Sequence, residues 1–185
     1  MTAYAERIPK YRFDNGDRID FAGRTYRIVT HPIKSGYKIK ASLDETRLEI
    51  HIASSGKSGE NTAESYAHQA AEAVETLLMT LAKSWISERA AHFASQMSLY
   101  PKAVKISRAR TRYGSCSSKG SLNFCWRILL APNEVADYII VHELAHLAQL
   151  NHSKAFYAIV EQAMPDYKNA QSWLKRNAAL LEWPV

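Results

Sequence analysis

The sequence has few of the features that mark secreted, disulfide-rich or membrane-spanning proteins. Its 185 residues include two cysteines, Cys116 and Cys125, which are too few for a disulfide scaffold. No apolar run approaches the roughly 18 residues of a membrane-spanning helix. The first seven residues contain no apolar stretch of the signal-peptide type. We therefore expect a soluble cytoplasmic protein with reduced thiols and no membrane partner.

The composition is that of an ordinary globular protein, with 46% hydrophobic and 23% charged residues. This length suits one domain, or one domain with a small appendage. The 24 basic residues exceed the 18 acidic ones, which gives a net charge of +6. Such a moderate excess permits a nucleic acid or an acidic substrate as partner but requires neither. The oligomeric state does not follow from the composition.

The N-terminal third alternates apolar runs with turn residues, which predicts short β-strands at 24–30, 38–43 and 48–52. Residues 44–46 would close a hairpin between the last two strands. The serine- and glycine-rich segment 54–59 is the best candidate for a boundary. We therefore predict an N-terminal β-strand module over residues 1–60.

A single long helix is predicted next, because apolar residues recur at helical spacing from Tyr66 to Met97. Asn61 and Glu64 resemble a capping box at its start, and Pro101 lies beyond its end. Residues 61–100 would thus connect the N-terminal module to a third region, residues 101–185.

The third region mixes strands and helices. Strands are predicted at 104–110, 112–117 and 122–128, the last two joined in a hairpin. Pro132 suits the first turn of a buried helix that would run to about Leu150. Ser153 can cap a helix to Met164, and Pro165 separates it from a last helix over 167–181. The whole chain is therefore predicted to be an α+β protein, with a small antiparallel sheet beside the buried helix.

The buried helix contains the most informative motif of the sequence, H-E-x-x-H at 142–146. His142 and His146 would lie on one helix face about 5–6 Å apart, a workable span for two imidazoles on one zinc ion. Glu143 would be rotated by about 100°, beside the metal. Burying these three groups without a metal or polar partners would be costly. The motif predicts metal-assisted hydrolysis with Glu143 as the general base.

A third ligand must come from outside this helix face. In a continuous helix His152 would lie out of reach, so the helix must end before it. Asn151 could end it by taking the left-handed conformation, which would swing His152 back over the metal. Glu161 is the alternative ligand, or it could orient a ligand imidazole. Zinc is the expected metal, although cobalt, nickel or manganese could occupy such a site.

Three arginines, Arg108, Arg110 and Arg112, would share one face of an extended strand. Such a row could bind a phosphate or a nucleic-acid backbone, or it could be a solvated edge paired with carboxylates. In a regular strand Val104 and Ile106 would lie on the same face as these arginines. A solvent-facing arginine row would therefore need a bulge or a twist in the strand.

The motifs of the third region resemble those of the YgjP-like metallopeptidase family, relatives of the SprT and WLM zinc proteases. The resemblance covers about residues 104–175 and rests on Arg112–Gly120, Leu122–Arg127, Leu130–Pro132, Val141–His146, Asn151–Ser153, Phe156 and Met164–Tyr167. It implies a zincin-type catalytic domain with three histidine ligands and Glu143 as the base. It also favours His152 over Glu161.

The resemblance further implies that Ser115 and Cys116 line the cleft. Asn123 either donates a hydrogen bond to substrate or satisfies the hairpin. Arg110 and Arg112 complete the expected substrate-binding set. The family pattern usually has Trp at Tyr113 and Asn at Cys125, and both departures concern substrate contacts rather than the metal.

Four functions fit these patterns. The first is a zinc-dependent peptidase that cleaves a peptide substrate. The second, an activity attributed within the family, is a nucleoside triphosphate (UTP-type) pyrophosphohydrolase that would use the same metal and the arginine row. The third is a DNA-associated protease like the SprT relatives, although no zinc finger or basic tail supports it. The fourth is a non-catalytic zinc-stabilised module, which would not need Glu143.

Overall fold

The computed structural model describes residues 11–33, 40–53 and 63–184. The predicted boundary at 54–59 and the capping residue Asn61 lie outside these residues, as do the first ten residues and 34–39. The described chain forms four α-helices and two sheets, so the predicted α+β class is confirmed. The division into three regions stays a prediction.

The first sheet contains strands β1 to β4 in the order β1-β2-β4-β3. Their bounds are Arg18–Phe21, Arg24–Ile33, Lys40–Leu43 and Arg47–Ala53. β3 and β4 pair antiparallel across the turn at 44–46, which confirms the predicted hairpin. β2 and β4 pair parallel. One face of this sheet is buried, with Ile19, Tyr26, Ile28 and Leu48 in the core.

The long helix, α1, spans Ala63–Met97 and packs against β3. Its described buried apolar residues recur at helical spacing, as predicted: Ala70, Ala71, Val74, Leu78, Ala82, Ile86, Ala90, Phe93 and Ala94. The residue after the helix, Ser98, has a positive φ of 56°. This left-handed conformation reverses the chain before Pro101.

The second sheet has the order β5-β7-β6, with strands Ala103–Ser107, Gly114–Cys116 and Ser121–Cys125 numbered in chain order. β6 and β7 form the predicted antiparallel hairpin, and β5 pairs parallel with β7. The strand predicted at 122–128 is too long, because the chain turns into a buried 3₁₀ helix at Trp126–Leu130. Within it Arg127 is buried, and its Nη2 donates to the carbonyl of Ala109 at 2.6 Å.

Three further helices complete the fold: α2 at Asn133–Ala145, α3 at Lys154–Ala163 and α4 at Tyr167–Asn177. The break at Pro165 is confirmed. Most residues of α2 are buried, and a bidentate ion pair connects the helix to α1. Arg89 Nε and Nη2 donate to the two Asp137 carboxylate oxygens at 2.8 and 2.7 Å. None of the described helices has the length and apolar content to cross a membrane.

Candidate metal centre

The H-E-x-x-H motif lies in the last turn of α2, which ends at Ala145, not near Leu150 as predicted. Beyond it the backbone forms turns with hydrogen bonds between residues three apart, such as Leu147 N donating to Leu144 O at 2.9 Å. The His146 ring contributes to this ending, because its Nδ1 lies 3.1 Å from the carbonyl of Gln149. In a continuing helix that carbonyl would instead accept a bond from the backbone four residues later.

The turn that returns His152 to the motif uses the side chain of Asn151, not its backbone conformation. Among the described residues, the only non-glycine positions with positive φ are Phe13, Ala22 and Ser98, so the predicted left-handed Asn151 is wrong. Its Oδ1 instead accepts bonds from Gln149 Nε2 at 2.8 Å and from Ser153 N at 3.3 Å, an Asx turn. Ser153 then caps α3 by accepting from Phe156 N, as predicted.

The three histidines converge at this place. His152 Nε2 lies 3.0 Å from His142 Nε2, and the ring centroids of His146 and His152 are 4.8 Å apart. One ligand atom from each ring falls within 4.8 Å of the others. The ring of Phe156 packs against all three imidazoles at centroid distances of 4.6–4.9 Å. The triad is thus supported by an aromatic side chain from α3.

The chemistry of this donor set fits a divalent metal ion. Burial, together with the nearness of His146 and His152, lowers the pKa of His142 to about 4, so its ring is neutral at pH 7 and has a free lone pair. A carbonyl can only accept, so His146 Nδ1 donates to Gln149 and leaves Nε2 as a lone-pair donor. The Tyr138 hydroxyl lies 3.5 Å from His142 Nδ1. Such contacts to the outer ring nitrogen orient metal-binding imidazoles.

Glu143 lies beside the triad and is buried, with 7% of its surface exposed. Burial raises its pKa to about 7, against the opposing effect of the Arg112 guanidinium. Strand β6 passes directly over it: a Cβ at Gly114 would lie 2.6 Å from Glu143 Cγ and 2.7 Å from its Oε1. The absence of a side chain at residue 114 is therefore what gives the carboxylate its space.

Ser115 and Asn123 are cross-strand partners in the β6–β7 pair. Each alternates with a neighbour that faces α2, so both lie on the opposite face of the sheet. Asn123 Nδ2 donates to Ser107 Oγ on β5 at 3.0 Å, a bond to the neighbouring strand and not within the hairpin. Cys116 is half-buried near Glu143, and burial followed by the charge of Glu143 raises the pKa of its thiol. That shift opposes a role as nucleophile.

The predicted arginine row does not form, because β5 ends at Ser107 and the three arginines follow in a loop. Arg108 turns towards α1, where its Nε lies 3.4 Å from Glu75 Oε2. Arg110 and Arg112 are exposed, and only Arg112 acts on Glu143 electrostatically. Glu161 is exposed on α3 and is not part of the converging group.

Sequence reasoning missed three contributors to this site: Gly114, Tyr138 and Gln149. Tyr138 could have been found, since it lies one turn before His142 on the same helix face. The roles of Gly114 and Gln149 depend on a strand crossing a helix and on a backbone carbonyl. No spacing rule predicts either.

These features are those of a metallopeptidase, and comparison with known families agrees. The model of the YgjP-like metallopeptidase domain matches residues 2–177. The chain therefore belongs to the YgjP-like metallopeptidase family, and it is a metal-dependent hydrolase of peptidase type.

Among solved structures, the chain is similar to the metallopeptidase zymogen of Pyrococcus abyssi abylysin. The two are 22% identical, and the similarity covers 49% of this chain and 93% of that one, with a TM-score of 0.44. No curated protein sequence matches the chain.

Proposed function

We propose that the protein is a zinc-dependent peptidase in which His142, His146 and His152 hold the ion and Glu143 is the general base. The observation that carries this proposal is the convergence of three imidazoles beside a buried carboxylate, with the Nε2 atoms of His142 and His152 3.0 Å apart. Nitrogen ligands of this type suit zinc, and cobalt, nickel or manganese are further candidates.

The number of converging groups supports a catalytic site over a structural one. The group found among the described residues has three members, whereas structural zinc sites usually have four protein ligands. When bound, the ion would acidify a water molecule and polarise the scissile carbonyl. A purely structural site would also have no use for Glu143, whose burial costs free energy.

Glu143 would act by moving a proton. Its carboxylate is held between α2 and β6, where Gly114 leaves space for it. From there it can accept a proton from the attacking water and return it to the leaving amine. The exposed Arg112 would help to keep this carboxylate ionised, because it opposes the effect of burial.

The edge of the second sheet supports a peptide as substrate. β6 is an edge strand, with β7 on one side of it. Tyr113 O and Ser117 N both bond to β7. Because antiparallel pairing alternates, the N–H and C=O groups of Gly114 and Cys116 point away from β7. An extended peptide could pair with these groups and pass Glu143.

The test compares the parent protein with Glu143→Gln, using zinc content and hydrolysis of a quenched-fluorescent peptide library. We expect Glu143→Gln to bind one zinc per chain as the parent does, and to lose at least about a hundredfold in turnover. A chelator should abolish the activity of the parent, and added zinc should restore it. Undiminished turnover in Glu143→Gln would refute the assignment of the base.

The pyrophosphohydrolase alternative depended on the predicted row of three arginines at 108–112. Arg108 is not part of such a row, because it pairs with Glu75 on α1. Pyrophosphate release from UTP, measured on the same proteins, tests this alternative directly. If the parent releases pyrophosphate and cleaves no peptide, the protein is a pyrophosphohydrolase and not a peptidase. A DNA-associated protease would instead show peptide cleavage that DNA stimulates.

A further inference from the structure

The outer face of the first sheet has a row of three arginines that the sequence does not reveal. Arg18 is paired in register with Arg27 across β1 and β2, and Arg27 is paired with Arg47 across β2 and β4. The three residues are separated along the chain but lie side by side across the strands. Neighbouring strands are about 4.8 Å apart, so the row spans about 10 Å. All three side chains are exposed.

These arginines have no carboxylate partner among the described residues. Four other described arginines do have one: Arg12 with Asp14, Arg89 with Asp137, Arg108 with Glu75 and Arg127 with Glu182. Like charges placed directly opposite each other on a sheet destabilise it. A row of three such residues therefore weakens the fold, and an anionic partner would offset that cost.

We propose that this face binds the phosphate backbone of a nucleic acid, through Arg18, Arg27 and Arg47. A guanidinium group presents a planar set of donors that matches the oxygens of a phosphate. Each of the three arginines can take a separate phosphate oxygen, because each projects from a different strand. The net charge of +6 adds a long-range attraction in the same direction.

The composition of the face favours a nucleic acid over a protein partner. Val29, which is half-buried, is its only apolar residue among the described side chains. Protein interfaces have an apolar and aromatic centre, whereas nucleic-acid interfaces are polar and strongly positive. The acidic residues on this face are Asp20, which accepts a hydrogen bond from Thr25, and Glu49.

The same face has a pair of rings on which a base could stack. His31 and His51 are cross-strand partners, with ring centroids 5.1 Å apart and planes inclined by 20°. A carboxylate oxygen of Glu49 lies 3.8 Å from Nε2 of each ring. His51 is four residues from Arg47 on β4, about 13 Å along the strand. Histidine rings stack with unpaired bases in single-stranded nucleic acids, so a single strand is the favoured form.

The experiment measures binding of the full chain to a fluorescein-labelled 20-nucleotide single strand, as DNA and as RNA, over a range of salt concentrations. The test variant combines Arg18→Gln, Arg27→Gln and Arg47→Gln. The control combines Lys83→Gln, Lys102→Gln and Lys175→Gln, which removes the same charge from exposed sites elsewhere. We expect the arginine variant to bind at least about tenfold more weakly than the control. Its salt slope should fall by about 2, from three contacts at ~0.7 each.

Folding and peptidase activity separate this inference from the proposed function. The arginine variant should unfold at the same temperature as the parent or higher, since like charges have been removed, and it should cleave a short peptide at the parental rate. Failure of the parent to bind the strand would overturn the inference, and so would an equal loss in the lysine control. Stronger competition by a polyglutamate peptide than by unlabelled strand would identify an acidic protein as the partner instead.

Discussion

Replacing Gly114 with alanine should separate the position of the catalytic carboxylate from the stability of the fold. The added Cβ would lie 2.6 Å from Glu143 Cγ, 2.7 Å from Oε1 and 2.9 Å from Cδ. Non-bonded heavy atoms prefer separations of about 3.5–4.0 Å. The carboxylate must therefore move by about 1 Å, because the strand above it is fixed by pairing with β7.

The energetic consequences differ for folding and for activity. The φ of Gly114 is not positive, so alanine adopts the same backbone without strain, and it reduces the entropy of the unfolded chain. The displaced atoms are Cγ and the carboxylate of one side chain that can rotate, so we expect overpacking to lower the free energy of unfolding by only about 1 kcal/mol. A catalytic group misplaced by about 1 Å can lose about a hundredfold in rate. This loss corresponds to about 2.7 kcal/mol of transition-state stabilisation.

The assay measures kcat/KM on a cleaved peptide, zinc content and thermal unfolding for Gly114→Ala. The matched background is Glu143→Ala, which removes Cγ, Cδ and the carboxylate oxygens and so relieves the contact. Gly114→Ala should therefore cost clearly less in that background, a coupling that a double-mutant cycle measures. Full activity in Gly114→Ala with bound zinc would refute the reasoning. So would an equal loss in both backgrounds.

Three further predictions concern the ligands and the buried ion pairs. Alanine at His152 should weaken zinc binding more than about a hundredfold, whereas Glu161→Ala should retain zinc; competition with a chelating dye measures both, and the reverse result would make Glu161 the ligand. Arg89→Ala should lower the free energy of unfolding by about 2 kcal/mol, since Asp137 is left buried without its bidentate donor. Denaturant unfolding measures this change, and an unchanged midpoint would contradict the prediction. Arg127→Gln should lower both stability and kcat/KM, because the buried guanidinium holds the loop that precedes β6 through Ala109; a lysine at the same place should restore part of the stability.

Patterns that depend on neighbouring residues were predicted well from the sequence. The β3–β4 and β6–β7 hairpins followed from turn residues between alternating segments. The cap at Ser153 and the break at Pro165 followed from the hydrogen-bonding groups of those residues. The two histidines of the H-E-x-x-H motif lie on one helix face because helical spacing requires it.

Features that depend on distant segments could not be predicted. The end of α2 was placed about five residues too late, because the His146 contact with the Gln149 carbonyl competes with helix continuation and leaves no pattern in the sequence. The arginine row at 108–112 failed for a related reason. Glu75, more than thirty residues earlier on α1, draws Arg108 away from the strand. The row that does form joins residues 18, 27 and 47, and only the register of three strands brings them together.

The position of His152 shows how closely the metal centre depends on the start of α3. His152 immediately precedes the capping residue Ser153, and Phe156 is the residue whose backbone N–H that cap accepts. One helix start therefore places both the third imidazole and the ring that packs against all three. Shifting the cap by one residue would rotate Phe156 by about 100° around the helix axis, and His152 would lose the ring behind it. The short turn at 146–152 thus has to satisfy two conditions at once, ending α2 at Ala145 and beginning α3 with Ser153 as its cap. The His146 contact with the Gln149 carbonyl meets the first condition, and the Asx turn of Asn151, whose side-chain oxygen accepts from Gln149 Nε2 and from Ser153 N, meets the second.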